Sequence, residues 1–166
     1  MEYVSTWPLA GKPISMDVTF GLCLPRDGYS VSLVRRICAD TFARLGVTGA
    51  CSHDIQITLT EACTNVFKHA RDGSNYEVTV AITETDCKIE VVDGGNGFDP
   101  SGIGLATAPP DAEEGRGVHL LTAVVDEVTY ESRPHAGTTV CFIKRLELEQ
   151  DSPLMRLRGI SISAQG

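Results

Sequence analysis

The sequence predicts an α/β fold, a two-layer α+β sandwich with a mixed, mostly antiparallel sheet covered by helices on one face. Three observations predict it. Two stretches of helical periodicity follow one another directly, between Gly28 and Ala70. A pair of alternating strands comes next, joined by the short polar stretch Glu84-Thr85-Asp86. A second strand pair, near 127–132 and 138–145, closes the patterned region after a long glycine-bearing segment.

Taken in order, residues 1–15 read as an N-terminal arm, because Trp7, Pro8, Gly11 and Pro13 interrupt any pattern. From Met16 to Leu24 apolar and β-branched residues alternate with others, as in a strand, and Pro25, Asp27 and Gly28 end it and open a helix. Val31, Val34, Ile37, Cys38, Phe42 and Leu45 recur at helical spacing up to Gly46, with Arg35, Arg36, Asp40 and Arg44 mainly on the polar side. Those arginines read as a solvated face, with a partner surface as the alternative. The second helix, about Cys51 to Ala70, has Ile55, Leu59, Ala62, Cys63, Val66 and Ala70 as its apolar set and stops at Asp72-Gly73. Strands follow near Tyr76–Thr83 and Cys87–Val92. Residues 93–115 have no strong period of their own, which fits a lid or binding loop better than a connector. A short helix is expected from Arg116 to Val125, and residues 148–166 read as a flexible tail beyond a domain spanning 16–147.

Charge and cysteines narrow the function. With 14 Lys+Arg against 22 Asp+Glu the net charge is −8, which repels a phosphate backbone and argues against a direct nucleic-acid binder. Nucleotide binding is compatible with that charge, since backbone N–H groups and a magnesium ion supply a local positive field. The six cysteines form no CxxC pair, and Cys23 and Cys141 sit in the apolar runs GLCLP and TVCFI, so reduced, buried thiols are expected. The N-terminus lacks the basic start and apolar core of a signal peptide, and no apolar run approaches membrane-spanning length. The expected location is cytoplasmic.

Three motifs carry chemistry. Glu61, Asn65 and His69 recur at steps of four within LTEACTNVFKHA, which puts them along one helix face. A carboxylate one turn from a carboxamide can hold a metal–phosphate group and polarise a hydroxyl; the same spacing also fits a solvated stripe. Asp93-Gly94-Gly95-Asn96-Gly97-Phe98-Asp99 follows the apolar strand IEVV. Glycines there admit close backbone approach to a ligand, and an Asp at the strand end can accept from an exocyclic amine; a capped turn is the plainer alternative. The spacing does not match a Walker A loop or an EF-hand. Gly115-Arg116-Gly117-Val118 opens a helix, where unpaired N–H groups suit a polyphosphate or simply make a pliable start.

In this order, and ending with Gly137-Thr138-Thr139 on the last strand, the motifs resemble the Bergerat (GHKL) ATP-binding fold. The chain is most similar in pattern to the anti-sigma-factor serine/threonine kinases, over roughly Met16 to Leu146. The resemblance implies Mg2+ and ATP or ADP as cofactors, with Asn65 as the magnesium ligand and Glu61 as the general base that accepts the serine hydroxyl proton. It implies that Asp93 reads adenine with Thr138 in support, and that Gly95 and Gly97 let base and ribose sit close. Gly115, Arg116, Gly117 and Val118 correspond to the phosphate-binding turn, Pro100 to Glu114 to the ATP lid, and Lys68 and His69 to residues that follow the Asn. Some relatives carry a basic residue just before the second glycine pair, where this sequence has Glu113-Glu114.

The implied function is a switch kinase that sequesters a sigma factor and phosphorylates a serine on an anti-sigma-factor antagonist, as a homodimer without nucleic acid or membrane. A non-catalytic, nucleotide-gated binding protein that sequesters a transcription regulator is the alternative that Glu113-Glu114 favours. A plain ATPase, or the detached catalytic piece of a histidine kinase, is a third reading.

Overall fold

The computed structural model describes residues 17–69, 75–93, 122–133 and 137–156. Its elements run β1 (Val18–Pro25), α1 (Gly28–Leu45), α2 (Gly49–His69), β2 (Asn75–Ile82), β3 (Asp86–Asp93), β4 (Glu127–Arg133) and β5 (Gly137–Arg145). The strands form one sheet in the order β1-β2-β3-β5-β4. Every pairing among these strands is antiparallel, in keeping with the expected mostly antiparallel sheet.

One face of the sheet is apolar because the strands alternate. Along β2, Tyr76, Val78, Val80 and Ile82 are buried while Asn75, Glu77 and Thr79 are exposed. Along β3, Cys87, Ile89, Val91 and Asp93 are buried. The helices cover that face: α2 packs over β3 and β5, and α1 over β1 and against α2. Val34, Cys38 and Phe42 of α1 and Ile55, Leu59, Ala62, Cys63 and Val66 of α2 are fully buried, at the spacing their sequence predicts. Each large side chain among them contributes about 1.5–3 kcal/mol by leaving water.

The helix ends are fixed by capping. Asp27 accepts from Ser30 N at 2.6 Å and starts α1. Gly46 ends it in the left-handed region, φ 75°, with its N–H bonded back to Ala43 and Phe42. α2 begins two residues earlier than the periodicity predicts, because Thr48 accepts from Cys51 N through its side chain and from Ser52 N through its carbonyl. Lys144 of β5 ties this helix to the sheet, reaching Asp54 Oδ2 at 3.2 Å and the carbonyl of Val124 at 2.6 Å.

Two expectations need correction. The sequence predicts a flexible tail from residue 148, whereas residues 148–156 seat on the domain. Leu148 pairs with Val47, Thr48 N donates to Glu147 O, Glu149 N donates to Gly46 O, and Leu154 is fully buried. The corner between α1 and α2 leaves backbone groups and Val47 to be covered, and this segment covers them. The cysteines also divide. Cys38, Cys51, Cys63 and Cys87 are buried, but Cys23 is exposed and Cys141 half-exposed. Both lie at strand positions whose period-two alternation turns them to the uncovered face, which their apolar neighbours in sequence conceal. All six are free thiols, as expected. Among the described residues no helix is long and apolar enough to cross a membrane.

Candidate functional site

The buried face of the sheet is apolar along most of its length and turns polar at one end. In register across the strands, Leu24 of β1 stands opposite Tyr76 of β2, Tyr76 opposite Asp93 of β3, and Asp93 opposite Thr138 of β5. Asp93 and Thr138 are 1% and 2% exposed, so a carboxylate and a hydroxyl occupy core positions side by side. A buried carboxylate needs a partner, and Arg26, from the connection between β1 and α1, provides one: its Nη2 is ion-paired with Asp93 Oδ1. Asp93 Oδ2 and Arg26 Nε are buried without a hydrogen bond among the described residues. Thr138 engages a partner of its own.

Tyr76 forms the floor of this end. Its ring meets Phe67 of α2 edge-on, with centroids 4.9 Å apart, and its hydroxyl lies 2.9 Å from Ser30 Oγ. Burial pushes that hydroxyl up to about 12, with the Ser30 contact opposing the rise. Ser30 Oγ also donates to Asp27 O, so the cap of α1, the floor and the Arg26 connection are one hydrogen-bonded unit.

A second polar group lies on α2. Glu61 and Asn65, one turn apart, are both half-buried. Tyr130 of β4 approaches them from the sheet. Burial pushes its hydroxyl up to about 12; the Asn65 amide pulls this back and the Glu61 charge adds to it. Asn65 Nδ2 and Tyr130 Oη nonetheless have no hydrogen bond of normal geometry among the described residues. Tyr130 faces Val140 across the β4–β5 ladder, and Val140 faces Val91 of β3, so this cluster lies one core-facing row in from the Asp93–Thr138 row.

Among the residues that the sequence singles out, the fold therefore brings Asp93 and Thr138 together and sets Glu61 and Asn65 on the helix above. His69 falls one turn beyond Asn65 in α2, at the helix end. The side chains of Lys68 and His69, and Gly95, Gly97, Gly115, Arg116, Gly117 and Val118, lie outside the described residues, as do the lid from Pro100 to Glu114 and the N-terminal arm. Sequence reasoning missed Arg26 and Tyr130. Arg26 sits in Pro25-Arg26-Asp27, which reads only as a turn, and Tyr130 is one more aromatic in an alternating strand. A cavity of about 310 Å³, lined by Glu84, Arg145, Leu146, Leu148 and Met155, lies at the far end of β3. It has no share in the polar cluster.

The donor set is compatible with a magnesium nucleotide. Mg2+ bound to phosphates takes one or two protein oxygens and fills its remaining positions with phosphate and water. Asn65 and Glu61 offer a carboxamide and a carboxylate on one face, and among the described residues no cluster of three His, Cys, Asp or Glu competes as a metal cage.

Comparison with known proteins places the chain in a family. Residues 24–144 match the family described as the histidine kinase-like ATPase domain. The serine-protein kinase RsbW of Staphylococcus aureus is 31% identical over 139 residues, covering 76% of this chain and 86% of the relative. The protein of that name from strain JH9 is 30% identical over the same length. Among solved structures, that of the RsbU and RsbW domains of Rv1364c from Mycobacterium tuberculosis superposes with a TM-score of 0.60 at 18% identity. It covers 78% of this chain, which spans 32% of that longer one, and the likeness is one of fold. The matched span contains Arg26, both helices, Asp93, Tyr130 and Thr138, and on this evidence the chain belongs to the histidine kinase-like ATPase domain family.

Proposed function

We propose that the protein is an ATP-dependent serine kinase of the anti-sigma-factor type, which sequesters a sigma factor and phosphorylates a serine on an antagonist protein. The observation that carries this reading is the polar end of the buried face. There Asp93 Oδ2 on the sheet and Asn65 Nδ2 on α2 are both buried and, among the described residues, unpartnered, and these are the residues that the resemblance assigns to the adenine and to the magnesium. The similarity to proteins named serine-protein kinase RsbW supports a protein serine as acceptor.

In this reading Asp93 accepts a hydrogen bond from the adenine amino group, with Thr138 beside it. Gly95 and Gly97 border the base and ribose, and Gly115, Arg116, Gly117 and Val118 border the phosphates. Asn65 is the magnesium ligand, and the ion neutralises phosphate charge when bound. Glu61 takes the proton from the serine hydroxyl as its oxygen bonds to the γ-phosphorus. The bond from that phosphorus to the β–γ bridging oxygen breaks, and ADP leaves with the electron pair. His69, one turn past Asn65, belongs to the same helical row. Assembly as a homodimer and a cytoplasmic setting complete the proposal.

Glu113-Glu114, where some relatives place a cation before the glycines, favours a second reading: a binding protein whose shape is set by nucleotide without transfer. The test is labelling with radioactive ATP and magnesium in lysate of the source organism, using wild type and Glu61→Gln. A small protein labelled on serine by the wild type alone is the expected result. Nucleotide binding without label supports the second reading, and equal labelling by both forms removes Glu61 from the base role.

A further inference from the structure

We infer that Arg26 is a positioning residue that sets nucleobase selectivity, holding Asp93 as a carboxylate through Oδ1 so that Oδ2 accepts only from a 6-aminopurine. The inference rests on the reading of Asp93 as the nucleobase-facing residue given above.

The argument begins with a half-made fork. Arg26 can offer Nε and Nη2 side by side to both oxygens of a carboxylate. Here Nη2 engages Oδ1, while Nε and Oδ2 are buried and unpartnered among the described residues. A closed bidentate pair would take up one acceptor site on each oxygen. The open one leaves a charged, desolvated acceptor in a residue 1% exposed. An ionised carboxylate has no proton to donate, so it accepts from an exocyclic amine and repels the oxygen of a 6-oxopurine.

Arg26 supplies the charge that keeps it so. Among the described residues, Asp93 is flanked in register by Tyr76 from β2 and Thr138 from β5, with Phe67 and Cys63 of α2 next to Tyr76. None of these is charged at neutral pH. Burial pushes both the Tyr76 hydroxyl and the Cys63 thiol up to about 12. Asp27, beside Arg26, is engaged as the cap of α1. Without the arginine, a carboxyl this deeply buried favours its neutral form. A neutral carboxyl carries an O–H, which a 6-oxo group can accept, and discrimination between the two purines is lost.

The experiment is calorimetric titration of the full chain with ATP and with inosine triphosphate, each with magnesium. Wild type should prefer ATP. Arg26→Gln should weaken ATP binding and reduce the ATP-to-ITP ratio by about tenfold or more, the scale of one mispaired buried hydrogen bond. Arg26→Lys, which keeps a positive charge at the carboxylate, should retain most of the ratio. That rescue separates an electrostatic role from a merely structural one. Should Arg26→Gln fail to fold, the wild type itself carries the test: with Arg26 holding Asp93 ionised, its ATP-to-ITP ratio should stay constant from about pH 8 down to about pH 5, where an uncompensated buried carboxyl would take up a proton.

An unchanged ratio in Arg26→Gln, or a wild-type ratio that collapses between about pH 8 and about pH 5, overturns the inference. So does tighter ATP binding by Arg26→Gln, which would make the arginine a competitor for the site. Failure of the wild type to bind ATP is a different result: it removes the nucleotide reading itself.

Discussion

Asp93 and Thr138 stand opposite one another across the β3–β5 ladder, both buried, in a row of the sheet whose other side is Leu24 and Tyr76. They are 45 positions apart in sequence, and antiparallel register alone makes them neighbours. A polar pair in such a place needs a reason, since burial of polar groups is unfavourable unless they find partners.

Removing the hydroxyl while keeping the shape tests the pair. Thr138→Val preserves a β-branched residue in the strand, so folding should persist. ATP affinity should fall by about five- to tenfold, the scale of one hydrogen bond, as read by calorimetry. Unaltered affinity would take Thr138 out of the site.

Asn65 and Tyr130 test the other cluster. Asn65→Ala should abolish the dependence of nucleotide affinity on magnesium, seen by titration with and without chelator. Tyr130→Phe removes a buried hydroxyl that has no full hydrogen bond among the described residues, so the fold should change in stability by no more than about 1 kcal/mol. Magnesium-dependent nucleotide affinity should nevertheless drop several-fold, because the hydroxyl meets the Asn65 amide. A drop in stability without one in affinity would assign Tyr130 a packing role alone.

Gly46 tests the corner between the helices. Its φ of 75° suits glycine, and an added Cβ would collide with Ser152 from the C-terminal segment. Gly46→Ala should destabilise the domain by roughly 1–3 kcal/mol, through backbone strain and displaced packing together. Urea denaturation measures it. A change within about 0.5 kcal/mol would mean that residues 148–156 do not seat on this corner as described.

The thiols give a pH prediction. Burial pushes Cys38 and Cys63 from 9.0 to about 12, and Cys87 higher still. Their native pKa values are raised, so the stability they contribute is fully present below the unfolded value. It is lost as pH rises from about 9 towards 12, because the unfolded chain releases these protons first. At pH 10 each thiol should cost about 1 kcal/mol relative to pH 7. The unfolding midpoint should therefore fall steeply over that range. At neutral pH a thiol reagent should modify Cys23 in the folded protein and spare these three, whose reaction should await unfolding.

Periodicity in the sequence determined both helices and the five strands described, because side chains that face one core must recur every 3.6 or every two residues. It also marked Glu61, Asn65 and Asp93, since a helical step of four and a strand end are local geometry, whereas Thr138 came only from the family resemblance. Local pattern misplaced Cys23 and Cys141, whose apolar neighbours hide the alternation, and it ended the domain before residues 148–156. Those residues pair with Val47 and Gly46, about a hundred positions away. Only the tertiary structure decided what stands beside each marked residue: Arg26 against Asp93, and Tyr130 against Asn65. Such contacts join residues 67 and 65 positions apart, and no local propensity encodes them. They arise when the sheet register and the helix layer are both fixed, and a buried charge such as Asp93 can then be matched by a cation that the fold carries to it, here Arg26.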